Sequence, residues 1–152
     1  MMWSAKEEFE AAIKTLGLST NTVRKLDDEL NSKLYFELLN HFVEGGDRRW
    51  WWEDFKTWFR FDRFDYPTEH LPDLIPDLSR KVWLMIEDDY KPYYPIYDIE
   101  PLWISKLIDE CFGFEYYIID KDLNWLICET HHKELIGVGN KLKEHNKERV
   151  WR

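Results

Sequence analysis

The chain has 152 residues and a formal net charge of −9, and 44% of its residues are hydrophobic while 34% are charged. This length suits one domain with a sizeable buried core, and the composition excludes an intrinsically disordered chain. No apolar run approaches the ~20 residues that a membrane-spanning helix needs, and two cysteines are too few for a disulfide framework or a four-cysteine zinc site. We therefore expect residues 1–152 to form one domain with no membrane span.

The first predicted element is a helix over about residues 4–16. Ser4 and Glu7 have the spacing of a capping box, in which each side chain bonds the backbone of the other residue. Four apolar residues follow at helical spacing, namely Phe9, Ala12, Ile13 and Leu16. Gly17 suits the left-handed conformation that commonly ends a helix, so this helix has both a start and a stop signal.

An apolar stripe at strict i+4 spacing predicts one or two further helices between about residues 20 and 44. Its members are Leu26, Leu30, Leu34, Leu38 and Phe42, and Val23 and Leu39 widen it. Gly45 and Gly46 end the pattern. His41, beside the stripe, is interpreted as a surface or packing residue.

The most unusual segment is RRWWWEDFKTWFRFDRFDYP, residues 48–67, in a chain with nine tryptophans. One helical face would hold Trp51, Phe55, Trp58 and Phe59, and a face with Trp52, Phe55 and Phe59 fits equally well. Acidic residues offset the interleaved arginines, which favours core or interface packing over single-stranded nucleic acid. Because three adjacent tryptophans cannot all face inward on one helix, at least one of Trp50–Trp52 is expected to reach a second surface or a partner.

A connecting segment and a buried strand are predicted next. Three prolines between Tyr66 and Ser79 favour a connection with at most a short helical turn. The apolar run in KVWLMIEDD predicts a buried strand that ends at about Ile86.

An aromatic connection with a short strand at 94–97 leads to another helix. Asp98 can cap this helix and Pro101 suits its first turn. Its apolar face consists of Leu102, Trp103, Leu107, Ile108 and Cys111. Gly113 is expected to end it.

Residues 114–139, FEYYIIDKDLNWLICETHHKELIGVG, predict a three-stranded antiparallel meander with turns at 121–123 and 131–133. Both faces of the middle strand are apolar, so this strand is expected to be central and covered on both sides. The fold prediction is α+β: the N-terminal helices and one later helix pack on a mostly antiparallel sheet of four or five strands.

The His-His pair in this segment is the first candidate site. Glu129 and His131 can share a face of an extended strand, whereas His131 and His132 point apart unless the chain bends there. A metal site needs three or more converging ligands and the pattern offers two at best, so hydrogen-bonding duties at a turn are favoured. Cys128 with either histidine is a poor candidate for a thiol nucleophile, because a thiolate inside an apolar strand is costly.

The second candidate site is acidic. The side chains of Glu87, Asp88 and Asp89 follow the predicted buried strand, and such a cluster suits either a solvated turn or contact with a basic partner better than Mg²⁺ binding. No phosphate-binding loop, dinucleotide fingerprint, nucleophile elbow or kinase signature is present. We therefore expect no catalytic residue, no metal and no cofactor.

The segment FEYYIIDKDLNWLICETHHKELIGVG resembles the corresponding part of a family of small, single-domain bacterial proteins of unknown function. The shared features are an F-E-Y-Y-I strand, a W-L-I-C-E strand, the H-H pair and an L-I-G-V-G ending, with similar W-W-E-D-F and V-W-L-M-I-E-D segments upstream. The resemblance implies no known activity. By size, charge and fold class, such proteins are similar to bacterial immunity proteins, which neutralise toxins by binding them.

The leading hypothesis is a non-enzymatic binding protein, an immunity protein or antitoxin for a basic toxin. A net charge of −9 without a Lys/Arg cluster disfavours nucleic acid and favours a basic protein partner. The residues predicted to bind it are Glu87, Asp88, Asp89, Asp98 and Glu100, with Trp51 or Trp52 as the anchor. The alternatives are a small enzyme or ligand-binding domain that uses Glu129, His131 and His132, and a structural or regulatory interaction domain. No signal peptide is visible in MMWSAKEEFEAA, so a cytoplasmic location is expected.

Overall fold

A seven-stranded antiparallel sheet forms the centre of the protein in the computed structural model, which describes residues 4–45, 51–88 and 94–151. The helices are α1 (Ala5–Thr15), α2 (Asp28–Phe42), α3 (Pro67–Leu74), α4 (Ile104–Asp109) and α5 (Asn140–His145). The strands are β1 (Val23–Lys25), β2 (Phe59–Arg60), β3 (Val82–Ile86), β4 (Ile96–Ile99), β5 (Tyr116–Ile119), β6 (Leu126–Glu129) and β7 (Leu135–Val138). The strand order is β1-β4-β3-β5-β6-β7-β2. The α+β class is confirmed, but the sheet is larger than the predicted four or five strands.

The predicted meander is confirmed as strands β5, β6 and β7. Ile118 lies opposite Ile127, which in turn lies opposite Gly137. The two turns each contain one residue with positive φ, Leu123 in the first and Lys133 in the second, both at 61°. The turns thus lie where the sequence predicts them.

Two separate cores cover the two faces of the sheet. One core holds buried side chains of α1, α3, α4 and α5, and the other holds those of α2 and of Trp51 and Phe55. Alternate residues of β6 enter opposite cores, with Ile127 in the first and Cys128 in the second. The prediction that this strand is covered on both sides is confirmed.

The first helix agrees with its sequence signals. The hydroxyl of Ser4 accepts a hydrogen bond from the backbone N–H of Glu7 at 3.2 Å. Phe9 and Ala12 are buried against the sheet. None of the helices in the described part of the chain is long and apolar enough to cross a membrane.

The region between residues 20 and 44 corrects the helical prediction. Residues 23–25 form strand β1, in which Val23 lies opposite Ile99 of β4. The helix α2 begins only after Asp27, whose carboxylate accepts from the backbone N–H of Leu30 at 2.9 Å. Leu30, in the first turn of α2, is half exposed, whereas Leu38 and Phe42 of the predicted stripe are buried.

The aromatic segment after residue 50 is not the predicted amphipathic helix. A single 3₁₀ turn spans Trp51–Glu53, Phe55 bridges to Val43, and β2 begins at Phe59. Trp50 lies outside the described residues. The extended path sends the aromatic side chains to different places, with Trp51 in a core and Trp58 on the surface.

Two further elements differ from the sequence prediction. The proline-rich connection holds the eight-residue helix α3, in which Pro67 occupies the first turn, where a missing N–H costs nothing. The expected strand at 94–97 lies two residues later as β4, so Asp98 is part of the strand and caps no helix. Its carboxylate instead forms an ion pair with Lys121 at 2.6 Å.

Candidate functional site

One end of the sheet brings together polar side chains from distant parts of the sequence. Antiparallel pairing places Ile86 opposite Tyr116, and Tyr116 opposite Glu129. The residues just beyond these positions therefore meet at the same end of the strands, where the turn between β6 and β7 carries His131 and His132.

Glu115 is the centre of this cluster. Its carboxylate is almost fully buried, at 2% exposure, and accepts from the Trp52 Nε1–H at 3.1 and 3.3 Å. The backbone N–H of His131 donates to the same carboxylate at 3.0 Å, and the Nδ1 of His131 lies 2.5 Å from it. A buried carboxylate needs such compensation, so these contacts join the aromatic segment to the histidine turn.

The rings of Trp52, His131 and His132 also lie next to one another. The ring centroids of Trp52 and His131 are 5.6 Å apart, and those of His131 and His132 are 4.0 Å apart. The two histidines therefore lie side by side, because the chain bends at this turn and strand alternation no longer applies. Within the described ranges, no three His, Cys, Asp or Glu side chains are grouped so that they could hold a metal ion.

The carboxylate of Glu129 bonds a different partner from the Glu115–His131 pair, although Glu129 and His131 both line the groove described below. It accepts from the hydroxyl of Tyr116 at 2.6 Å. Tyr116 belongs to the core under α1, α3 and α4, whereas Trp52 packs against the opposite core. The two glutamates thus face opposite sides of the sheet.

The predicted acidic contact set is divided between the two ends of the sheet. Glu87 lies beside Glu115, to whose backbone carbonyl its N–H donates at 3.1 Å, and Asp88 is buried, at 3% exposure. Asp98 and Glu100 lie at the opposite end, because β3 and β4 run antiparallel. Asp89 lies outside the described residues.

The two tryptophans predicted as anchors, Trp51 and Trp52, differ in their exposure to solvent. Trp51 is completely buried, so it cannot act as a surface anchor, which corrects that part of the prediction. Trp52 is only partly buried and lies at the end of the sheet that carries Glu115. Of the residues predicted to bind a partner, the fully buried Trp51 and Asp88 are inaccessible in this structure.

An open groove of about 470 Å³ lies beside the histidine turn, on the side of Glu129. Its walls come from the start of α3, the end of α4 and the adjoining ends of β5 and β6. The carboxylates of Asp65, Asp109 and Glu129 line it, together with His131 and Lys133. We call this the acidic groove.

Two exposed aromatic side chains flank the acidic groove. Phe112 is 99% exposed and Tyr66 is 69% exposed. The hydroxyl of Thr68 donates to Asp109 at 2.7 Å, which ties the start of α3 to the end of α4. The groove therefore presents apolar rings and negative charge together.

The two cysteines are poorly suited to nucleophilic chemistry. Burial raises the pKa of Cys111, which lines the acidic groove, to about 12. Burial likewise raises the pKa of Cys128 well above its ordinary value. Both side chains are thus thiols near neutral pH, and thiols are weak nucleophiles.

Glu129 makes the stability of the protein depend on pH. Burial raises its pKa above the ordinary 4.5, against the opposing effects of the Tyr116 hydrogen bond and the Lys133 charge. As pH rises from 4.5 through the folded-state pKa, the unfolded chain releases this proton while the folded chain still holds it, so the free energy of unfolding falls. We expect Glu129→Gln to remove this fall, as measured by urea unfolding across that pH interval.

The matched control for this substitution is Glu37→Gln, which removes the same charge from an exposed position on α2. The control should keep the wild-type dependence on pH. Parallel curves for wild type and Glu129→Gln across the interval would contradict the assignment.

Glu115 is the residue that sequence reasoning missed. The available signal was a single acid at the start of an otherwise apolar strand, in FEYYII. A buried carboxylate requires donors, and its donors here come from Trp52 and His131, 63 and 16 residues away. The sequence predicts each of these partners as a separate candidate, and only the fold joins them.

Comparison with known proteins supports the resemblance noted in the sequence. No curated protein and no solved structure shows a significant match to the chain. A family model does match, and it covers residues 2–150. The chain therefore belongs to DUF6756, a family of unknown function.

Proposed function

We propose that this protein is a non-enzymatic binding domain that recognises a basic protein partner through the acidic groove. The observation that carries the proposal is the pairing of two exposed aromatic side chains, Tyr66 and Phe112, with three carboxylates in one groove. Aromatic side chains that protrude next to a concave surface are the typical energetic centres of protein interfaces.

The aromatic rings would supply most of the affinity. A phenyl ring that is 99% exposed has no role in the core, and placing it in water is unfavourable. Burying Phe112 and Tyr66 against a partner removes that cost and contributes on the order of 1.5–3 kcal/mol for each ring.

The carboxylates would select the sign of the partner's charge. Among the described residues that line the groove, Lys133 is the one permanent positive charge beside Asp65, Asp109 and Glu129. The net charge of −9 adds long-range attraction for a basic protein and raises its association rate. An arginine or lysine side chain that enters between these carboxylates is the chemistry that the groove fits.

The specific role that we propose is that of an immunity protein or antitoxin, which blocks a basic toxin by occupying its surface. Small size, strong negative charge and an aromatic-acidic groove support this role. Trp52 and Glu87 lie at the same end of the sheet and can extend the contact surface beyond the groove. Asp98 and Glu100 lie at the far end and would act only through the long-range field.

The decisive experiment has two steps. The full chain is first cross-linked to its partner in the source cells, and the partner is identified and purified. Calorimetry then compares wild type with the double substitution Asp65→Asn and Asp109→Asn. We expect binding to the purified basic partner to weaken about tenfold or more, and its dependence on salt to become shallower.

The double substitution Glu37→Gln and Asp73→Asn is the matched control, because both acids are exposed on helices and neither lines the groove. It should change the affinity less than about twofold. Equal binding by the variant with Asp65→Asn and Asp109→Asn, or a partner that is not basic, would overturn the proposal. For the antitoxin role, the partner expressed alone should arrest growth, and wild type but not this variant should restore it.

A second candidate function rests on the Glu115–His131 pair. A buried carboxylate that holds one nitrogen of an imidazole is an arrangement that also orients general bases. The predicted combination of Glu129, His131 and His132 is less favoured, since Glu129 bonds Tyr116 on the other side of the sheet. Loss of a measurable activity in Glu115→Gln with partner binding retained would favour an enzyme over a binding domain.

A further inference from the structure

A second concave site lies at the edge of the sheet, next to β2. It is a cleft of about 280 Å³, lined among others by Arg60, Arg63, Phe64, Lys133, Glu134 and Trp151. It shares only Lys133 with the acidic groove. We call it the basic cleft.

Backbone pairing on both sides of β2 builds the basic cleft. Arg60 lies opposite Ile136 of β7, and on the other side Phe61 bridges to Val150. The N–H of Trp151 donates to the backbone carbonyl of Arg60 at 2.9 Å. The indole of Trp151 is therefore held next to the cleft by main-chain geometry.

Arg60 is positioned by aromatic rings. Its guanidinium carbon lies 5.6 Å from the ring centroid of Trp151 and 5.9 Å from that of Trp58. Its Nε–H is buried and has no hydrogen-bond partner among the described residues. One ion-pair contact, to Glu134, is long at 3.7 Å. The guanidinium is thus fixed in place but keeps unused donor capacity.

The cleft concentrates positive charge on a strongly acidic protein. Arg60, Arg63 and Lys133 line it against Asp62 and Glu134. In the described part of the chain, no salt bridge or side-chain hydrogen bond engages Arg63 or Lys133. Cations that converge beside aromatic rings and keep unused N–H donors, in a chain of net charge −9, are the donors that an anion requires.

We propose that the basic cleft binds a small organic anion that carries one aromatic ring. The anionic group, a carboxylate or a phosphate, bonds Arg60, Arg63 and Lys133, and the ring packs against Trp151 and Phe64. A volume of about 280 Å³ suits a ligand of one ring and lies at the lower limit of typical small-molecule sites. Apart from Lys133, the basic cleft and the proposed partner-binding groove have different lining residues.

The test is a titration followed by NMR of the indole N–H signals, with Trp151→Phe used to assign the signal of Trp151. Phenyl phosphate and benzoate are the anionic probes, and benzamide is the neutral control. We expect phenyl phosphate, benzoate or both to shift the Trp151 signal with saturation, and the stronger of the two identifies the anionic group. Benzamide should give no saturable shift.

Two charge variants locate the site. Arg63→Gln should weaken binding of the better probe by about tenfold, since a charge-assisted contact contributes on the order of 1.4 kcal/mol. Lys33→Gln removes one charge from an exposed position on α2 that does not line the cleft, and should leave the affinity within about twofold. Arg63 is exposed, so its substitution leaves the fold intact, which circular dichroism checks.

Any of four results would overturn the proposal or, in the last case, its requirement for a ring. One is the absence of a saturable shift with both anions, and another is equal binding of benzamide. The third is an Arg63→Gln variant that binds the better probe as tightly as wild type. Inorganic phosphate that binds as tightly as phenyl phosphate would overturn the requirement for a ring.

Discussion

Replacing Trp51 by alanine is expected to lower the free energy of unfolding by about 3–5 kcal/mol. Trp51 is completely buried, and its ring centroid lies 5.3 Å from that of Tyr35 and 5.6 Å from that of Tyr117. Its indole N–H has no hydrogen-bond partner among the described residues, so the loss comes from packing and from the cavity that remains. Urea unfolding followed by far-ultraviolet circular dichroism measures the change.

Trp58→Ala is the matched control, because it deletes the same side chain from a position that is 55% exposed. Its cost should stay below about 1 kcal/mol, since it loses mainly a surface contact with Arg60. Equal losses from the two substitutions would mean that Trp51 does not lie in the core. The pair of variants thus separates core from surface within the tryptophan-rich segment.

The second large effect is expected from Gly139→Ala. Gly139 has φ of 109°, which side-chain-bearing residues rarely adopt, and a Cβ there would collide with the backbone carbonyl oxygen of Asn124. In the alanine variant, backbone strain from the positive φ and the steric clash with Asn124 would both arise where β7 leads into α5. We expect a loss of about 3 kcal/mol or more in the free energy of unfolding, measured by thermal and urea unfolding.

Gly113→Ala separates the two contributions. Gly113 has almost the same φ, 110°, but apart from its chain neighbours no atom of the described residues lies within 4 Å of the position that its Cβ would take. This control should therefore show the backbone strain alone, on the order of 1–3 kcal/mol. If both variants lost the same free energy, the approach of Asn124 to Gly139 would be looser than the structure indicates.

Elements with local signals could be predicted from the sequence. The sequence of α1 has the Ser4 cap and an apolar stripe, and that of the meander has two turns between apolar runs. Each signal lies within a few residues of the element that it specifies. This is why their positions agree closely with the structure.

The elements that were missed depend on distant partners. Strand β1 exists because Val23 pairs with Ile99, and β2 because Phe59 pairs with Gly137. Strands of two or three residues are too short to show an alternating pattern in the sequence. The helical spacing of the apolar residues nearby therefore leads to a prediction of helix in both regions. Tertiary pairing overrides that local preference at both edges of the sheet.

The candidate sites show the same limit. The histidine pair, Trp52 and the acids after β3 are each predicted from sequence, but their grouping is not. The hydrogen bonds of Glu115 join two of these candidates, whereas antiparallel pairing separates Glu87 from Asp98. The acidic groove depends on Tyr66, Asp109 and Phe112, none of which stands out in the sequence.

The pairing of residues 149–151 with β2 has a consequence for association between molecules. Strand β2 is the last strand of the sheet, and an uncovered edge strand offers its N–H and C=O groups to any other chain. The bonds from Asp62 to Arg149, at 2.7 Å, and from Trp151 to Arg60 occupy these groups. The same short segment that shapes the basic cleft therefore also shields this edge of the sheet from adding strands of neighbouring molecules.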